Sequence, residues 1–387
     1  MAEHEKTLAN TIGLYIHVPF CLKKCCYCDF VSYPYSEAAA GTYLDALLKE
    51  IDMYSLGLPD QEKQLASIFI GGGTPTCLSS GSLTAILDRL RRGFSLVPGC
   101  EITIEANPGT VDRQVLDVLR TSGVNRLSLG IQAFQDQLLS ALGRVHTAAE
   151  AVEAIRAARE AGFDNLNLDF IFGIPGQTRE EWLETISLAA DLRPEHIAVY
   201  GLQLEERTPL ERLVARGEIQ PCSEELELSF YLAAIEFLSS QGYVHYEISN
   251  FARPGRESVH NLGYWLNRRY LGLGPAAHSY LPGGRYANDA TLAGYAGRVA
   301  RGELPVCSRE GETVAKEMSE TIFLGLRLIG GFDLAAFYQR FGRRAEEVYR
   351  KEITRLLEAG LVEFAGGRLR LTAAGLPLAN EVFIEFV

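Results

Sequence analysis

Six short runs of apolar, β-branched and aromatic residues recur along the first two hundred positions. They are LYIHV around Tyr15, SIFIG around Phe69, EITIEA around Ile104, RLSLGI around Leu129, LNLDFIFG around Phe170 and HIAVYGL around Val199. Between them lie longer stretches with apolar residues at helical spacing, such as AGTYLDALLKEIDMYSL, VDRQVLDVLRTSG, AAEAVEAIRAAREAG and REEWLETISLAADL. Several of these end at a glycine, a common stop for a helix. Near-continuous apolar strands that alternate with helices predict βα units around a parallel sheet covered on both faces. Six units predict an α/β fold, an incomplete (β/α)6 barrel, with its chemistry at the C-terminal ends of the strands. Polar residues fall there: Cys21 after the first strand, Gly71 to Thr74 after the second, Glu105 and Gln132 at the ends of the third and fourth, and Asp169 within the fifth.

The βα rhythm stops near Gln241, which divides the chain into a barrel over 1–241 and two further parts. Residues 242–309, rich in Gly, Tyr and His and containing HNLGYW, read as an irregular region packed on the barrel. Residues 310–387 read as a winged-helix-like α+β domain, with helices over 314–329, 334–341 and 345–359 and a hairpin, LVEF-AGG-RLRLT, turned by its glycine pair. Winged helices often bind DNA, but the mixed charge of RRAEEVYRKE favours a packing or partner role.

A chain of 387 residues exceeds what one hydrophobic core usually organises, consistent with that division. The net charge of -12 opposes binding to a phosphate backbone and excludes nucleic acid as the main partner. The start, MAEHEKTLANTIGLYIHVPF, lacks the pattern of a secretory signal and no apolar run is long enough to span a bilayer, so a cytoplasmic protein is expected. Eight cysteines are too few for a disulfide scaffold, yet four of them, Cys21, Cys25, Cys26 and Cys28, lie within eight residues. That crowding points to a metal centre.

In CLKKCCYC, Cys21, Cys25 and Cys28 have C-x3-C-x2-C spacing on a loop after a strand. Thiolates are the usual ligands of iron–sulfur clusters, and three of them leave one iron of a four-iron cubane open to a small chelating molecule. The rival is a zinc site completed by Cys26 or His17. GGGTP after the second strand would let backbone groups approach a ligand closely, and no Gly-Lys-Ser/Thr follows to suggest a P-loop.

YIHVPFCLKKCCYCDF followed by GGGTPT resembles the radical S-adenosylmethionine superfamily. Tyr15, His17, Cys21, Cys25, Tyr27, Cys28, Gly71 to Pro75, Glu105, Gln132, Arg144 and Asp169 match, in order, the pattern shared by oxygen-independent coproporphyrinogen III dehydrogenases and the HemW haem chaperones. The resemblance covers essentially the whole chain. It implies a [4Fe–4S] cluster on Cys21, Cys25 and Cys28, and S-adenosylmethionine held by Tyr15, Tyr27, Gly72, Gly73, Thr74, Glu105, Gln132, Arg144 and Asp169. Glu105 and Asp169 offer carboxylates to an ammonium, ribose or sulfonium group, and Arg144 can pair with the ligand carboxylate; each is equally able to serve as a structural ion pair or cap.

Phe30 stands where the dehydrogenases carry a further cysteine, and the first strand begins too early for their N-terminal arm; both features resemble HemW. HNLGYW matches the HNxxYW motif of those chaperones, which implies haem contact by His260, Asn261, Tyr264 and Trp265, with imidazole as a candidate axial ligand. His278 and His245 are secondary candidates. The bland alternative is a loop that satisfies backbone groups beside an aromatic domain-interface plug. The resemblance thus implies a chaperone that passes haem to haem-acceptor proteins, membrane-associated ones included. The enzyme alternative is a radical coproporphyrinogen III dehydrogenase of haem biosynthesis, and the third reading is a zinc-stabilised barrel with a nucleic-acid-binding winged helix.

Overall fold

The computed structural model describes residues 11–387; residues 1–10, part of the stretch read above for a secretory signal, lie outside them. Strands form where the pattern marks them: β1 (Ile12–Val18), β2 (Gln64–Gly72), β3 (Ser95–Ala106), β4 (Arg126–Gln132), β5 (Leu166–Phe172) and β6 (His196–Gly201). The helices that follow them are α1 (Glu37–Gly57), α2 (Ser80–Gly93), α3 (Arg113–Thr121), α4 (Ala148–Glu160), α5 (Arg179–Asp191) and α6 (Glu224–Ser240). Local chemistry fixes their starts. Thr147 with Glu150 and Thr178 with Glu181 form capping boxes that satisfy otherwise unpaired N–H groups of α4 and α5.

β1 to β6 pair in parallel and in chain order. One face of this sheet packs on the helices through such residues as Leu14, Ile70, Ile104, Leu129 and Leu168. The alternate positions carry Ser67, Thr103, Glu105, Arg126, Ser128 and Asp169, so the lumen of the partial barrel is polar. Strand geometry sends neighbouring side chains to opposite faces, which is how buried strands still line a chemical site.

The stretch expected to be irregular, 242–309, is largely strand. Asn250–Ala252 and Val244–Glu247 extend the sheet antiparallel beyond β6. On the other side Tyr270–Leu273 runs parallel to β1, followed by antiparallel His278–Leu281, Gly284–Asn288 and Val306–Gly311, giving one sheet of twelve strands. These strands are short, and glycines at positive φ (Gly274, Gly283 and Gly284) interrupt them, so no period of two develops along the sequence.

The C-terminal part has its own core, built on Met318, Ile322, Phe337, Leu369 and Val382 among others. Its first helix, Val314–Gly325, stops short of the expected Ile329 because the next residues join the barrel. Ile248 N–H donates to the Arg327 carbonyl at 3.1 Å, Ile329 N–H donates to the Tyr246 carbonyl at 3.1 Å, and Glu247 and Leu328 form a β-bridge. Leu334–Phe341 is helical as expected, whereas 345–359 is two helices broken at Tyr349. The hairpin pairs Val362–Ala365 with Arg368–Leu371, and Gly366 and Gly367 both take the left-handed conformation its turn requires. No helix among the described residues is long and apolar enough to cross a membrane.

Candidate cofactor site

The loop after β1 carries Cys21, Cys25 and Cys28, all partly exposed and without disulfide partners. Thr74 Oγ1 lies 3.7 Å from Cys21 Sγ and Arg144 Nη1 lies 3.4 Å from Cys25 Sγ, donors suited to a thiolate. The groups that would complete a zinc tetrahedron are engaged elsewhere. Cys26 Sγ donates to the Ala141 carbonyl at 3.1 Å and packs against an apolar cluster that contains Leu142 and Ile171. His17 has Nε2 on the Val31 carbonyl at 2.8 Å and Nδ1 on the Tyr15 hydroxyl at 3.1 Å. Among the described residues no three His, Cys, Asp or Glu side chains converge as ligands of a single ion would. A cubane is ligated at separate corners and needs no such convergence.

Beside the loop, the turn after β2 approaches its neighbours too closely for any side chain. A Cβ on Gly73 would lie 2.5 Å from the Phe20 carbonyl oxygen; one on Gly72, where φ is 109°, would lie 2.6 Å from the His17 ring. Gly73 N–H donates to the Val18 carbonyl at 2.8 Å and Thr74 N–H to the Phe20 carbonyl at 2.7 Å, tying the turn to the cysteine loop. Gly72 N–H donates to Glu105 Oε2 at 3.1 Å. Arg144 Nη2 donates to the Gly130 carbonyl at 2.6 Å and to Asn107 Oδ1, while its Nε, though buried, has no partner among the described residues. Gln132 ends β4 with φ 70°, a left-handed conformation that costs a non-glycine residue energy and is characteristic of ligand sites. Tyr27 packs partly buried against the cluster around Leu138 and Leu139.

Two carboxylates face this mouth. Burial, and then the nearby Asp169, push the Glu105 carboxyl up to about 8. Burial also raises Asp169, opposed by hydrogen bonds from Asn167 Nδ2 and Ser128 Oγ, each 2.9 Å long. A cationic ligand would relieve both, since an opposite charge nearby favours the ionised form. The glycine cradle, the unpartnered Arg144 Nε and the paired carboxylates therefore fit a zwitterionic, positively charged ligand beside three free thiols.

The opposite end of the lumen is closed by HNLGYW, which forms a helix, Val259–Trp265, and not the expected loop. Ser258 caps it, and the Glu101 carboxylate receives the Val259 and His260 N–H groups at 3.1 Å and the Ser258 hydroxyl at 3.4 Å. That remote anion stabilises the helix N-terminus and turns His260 into the barrel. His260 is 3% exposed, with Nδ1 2.9 Å from Ser67 Oγ and Nε2 2.9 Å from the Tyr264 hydroxyl. Burial, then Arg126, lower it to about 3. Both ring nitrogens of His260, the candidate axial ligand, are hydrogen-bonded within the protein, and Nε2 fixes the orientation of the Tyr264 hydroxyl. Asn261 and Tyr264 are half-buried, and Trp265 lies under Arg327, 4.3 Å from guanidinium to ring centre. His245 stacks on Phe251 with its Nε2 on the Ile248 carbonyl, and His278 is exposed at the start of the strand His278–Leu281.

Residues 15–189 match the model of the radical SAM superfamily, and residues 313–378 match the HemN C-terminal domain. The heme chaperone HemW of Bacillus subtilis is 37% identical over 96% of this chain and 98% of its own length. The chain belongs to the HemW family. The heme chaperone HemW of Escherichia coli is 37% identical over 71% of this chain and 72% of its own length. Among solved structures, the radical SAM enzyme coproporphyrinogen III oxidase (HemN) of Escherichia coli superposes with TM-score 0.85 at 25% identity, covering all of this chain and 93% of that one. Membership of the radical SAM superfamily implies a [4Fe–4S] cluster and S-adenosylmethionine, and the mouth is chemically suited to both.

Several residues at the site of this HemW-family chain escaped sequence reasoning. Asn107, which links Thr74 to Arg144, sits in EANPG, where Asn before Pro-Gly signals only a turn. His196 reads as the first residue of a strand, yet it is wholly enclosed with Nε2 on the Tyr246 hydroxyl at 2.8 Å and Nδ1 on Asn167 at 2.5 Å. Arg126 and Glu101 are 4.0 Å apart and both nearly inaccessible, although Arg126 opens β4 and Glu101 opens the apolar run EITIEA within β3, where charged residues usually mark a surface.

Proposed function

We propose that this chain is a cytoplasmic haem chaperone, which binds haem and passes it to haem-dependent proteins, respiratory and membrane-associated acceptors among them. The carrying observation is the 37% identity, over nearly the full length of both chains, with a protein named a heme chaperone, against 25% with the coproporphyrinogen oxidase. In this reading Cys21, Cys25 and Cys28 hold a [4Fe–4S] cluster. Tyr15, Tyr27, Gly72, Gly73, Thr74, Glu105, Gln132, Arg144 and Asp169 hold S-adenosylmethionine. When bound, the cluster supplies an open iron and one-electron chemistry.

The chain's own residues do the rest. Arg144 takes the ligand carboxylate, Glu105 and Asp169 accept its cationic and hydroxyl groups, and the glycine turn contributes backbone contacts that a side chain would block. Haem lies in the lumen against the helix that carries His260, Asn261, Tyr264 and Trp265, with the His260 ring holding the Tyr264 hydroxyl. Apolar burial of the macrocycle supplies much of the affinity.

The test is one anaerobic preparation, reconstituted with iron and sulfide, titrated with haem and separately incubated with coproporphyrinogen III, S-adenosylmethionine and a reductant. Stoichiometric haem binding with no carbon dioxide release supports the chaperone. Catalytic release of carbon dioxide and 5'-deoxyadenosine would replace it with the dehydrogenase.

A further inference from the structure

One register row crosses four strands on the lumen face: Tyr15 beside Phe69, Phe69 beside Thr103, and Thr103 beside Arg126. It lies below the row that holds Glu105 and Ser128, and so below the mouth. Tyr15 and Phe69 stack with ring centres 6.3 Å apart, and Phe69 stacks in turn on His260 at 5.2 Å. The row thus joins an aromatic wall to a cation. The lumen above it is open enough that Tyr15, Phe69, Glu105 and Asp169 all keep some solvent access.

Arg126 is 2% exposed, and its Nε–H finds no acceptor among the described residues. Its only ion pair there is the contact with Glu101 at 4.0 Å, too long for a hydrogen bond. Glu101 itself is committed to the Ser258 hydroxyl and the Val259 and His260 N–H groups. Thr103, wholly buried in the neighbouring strand, also has a hydroxyl without a partner. Buried polar groups are almost always hydrogen-bonded, and leaving a buried cation's Nε–H without an acceptor is costly. Two unpaired donors side by side, one of them charged, are complementary to a carboxylate.

We propose that Arg126 and Thr103 form a carboxylate-binding subsite on the lumen floor, which receives a propionate arm of the tetrapyrrole while Tyr15, Phe69 and Tyr264 flank its ring. The proposal rests on the haem reading above and adds to it the group that fixes the orientation of the cargo. Glu101 is the positioning residue: occupied by the helix, it holds the guanidinium in place without filling its donors. His260 belongs to the same device, because the Glu101 carboxylate that accepts its N–H also faces Arg126.

Full-length, cluster-reconstituted protein is titrated by fluorescence with protoporphyrin IX and with its dimethyl ester. Iron-free probes remove axial ligation from the comparison, and the ester removes only the carboxylates. The wild type should prefer the diacid by roughly ten- to a hundred-fold, the range of a charge-assisted hydrogen bond. Arg126→Gln should bring the ratio close to one, Arg126→Lys should keep part of it, and the exposed Arg92→Gln should leave it unchanged. Thr103→Val loses no hydrogen bond in the protein, so it should fold normally and lower the ratio several-fold. It carries the test if Arg126→Gln lowers the thermal midpoint or the cluster iron content. A diacid preference undiminished from the wild type in folded Arg126→Gln, or in Thr103→Val where Arg126→Gln fails to fold, overturns the subsite and makes Arg126 structural. Haem binding without any preference for the diacid does the same and leaves the chaperone reading intact. Failure of the wild type to bind haem or either porphyrin overturns the chaperone reading and the subsite with it.

Discussion

The two ends of the lumen are built on opposite plans. At the mouth, three thiols stand without disulfide partners, Arg144 has an unused donor, two carboxylates face one another's charge, and Gln132 adopts a strained backbone. At the HNxxYW end, the His260 ring has both nitrogens satisfied and the helix N-terminus has its anion. The mouth is incomplete without a ligand, whereas in the HNxxYW helix the His260 ring and the helix N-terminus are satisfied within the protein and only the Trp265 Nε1–H is left without a partner among the described residues. The motif expected to contact haem is thus also held as structure, its histidine hydrogen-bonded to its own tyrosine.

The largest effect that separates the two ends is loss of the cluster. Cys21→Ala, Cys25→Ala or Cys28→Ala should each abolish iron and sulfide incorporation, while Cys26→Ala, whose thiol faces Ala141, should retain it. Equal loss in Cys26→Ala would break the ligand assignment. Next, Gly73→Ala should cost roughly 3 kcal/mol or more, read as a fall in thermal midpoint, because the new methyl meets backbone at 2.5 Å and the strand end cannot retreat.

Asp169→Asn should weaken S-adenosylmethionine about ten- to a hundred-fold by calorimetry, with little change in fold, since the amide oxygen can still accept from Asn167 while its NH2 donates to Ser128 Oγ. The pH dependence should then set the ends against each other. His260 is held at about 3 against an ordinary 6.5, so between these values the unfolded chain takes a proton that the fold refuses. Its contribution to stability falls as pH drops through that window, by about 1.4 kcal/mol per pH unit, and His260→Gln should flatten that limb of a denaturation–pH profile. Glu105, raised to about 8, does the reverse: its fold-favoured proton is lost as pH rises from 4.5 through 8, so stability falls toward the alkaline side and Glu105→Gln should remove that slope. The smallest effect is a gain. A Cβ on Gly263, inside the HNxxYW helix, meets nothing within 4 Å, so Gly263→Ala should stabilise by about 0.5–1 kcal/mol in thermal unfolding.

Much of this was legible because the strands and helices of the barrel follow simple periods and because thiols and glycines advertise their chemistry by spacing. CLKKCCYC and GGGTP fall on the loops where a βα unit puts its site, and the structure places them together through Thr74 and Cys21. The strands of 242–309 stayed hidden for lack of length. The HNxxYW helix stayed hidden because seven residues containing a glycine make a poor helix unless something far away supports it. That support, Glu101, is more than a hundred and fifty residues distant, and nothing in VPGCEITIEA announces a cap for another segment. Arg126 was missed for a related reason, since a charged residue at the start of a strand ordinarily marks the surface.

The backbone pairing of Arg327 to Ile329 with the barrel has a further consequence, for solubility. A sheet of twelve strands has two rims, and an uncovered rim is a template on which other chains can polymerise. One rim, Val306–Gly311, is protected by composition: it is exposed and bears Arg309 and Glu310. The other, Val244–Glu247, has the C-terminal segment laid across it at Tyr246, Glu247 and Ile248. Truncation before Val314 would strip that cover while leaving the barrel's core whole, and the expected failure is aggregation of a folded barrel.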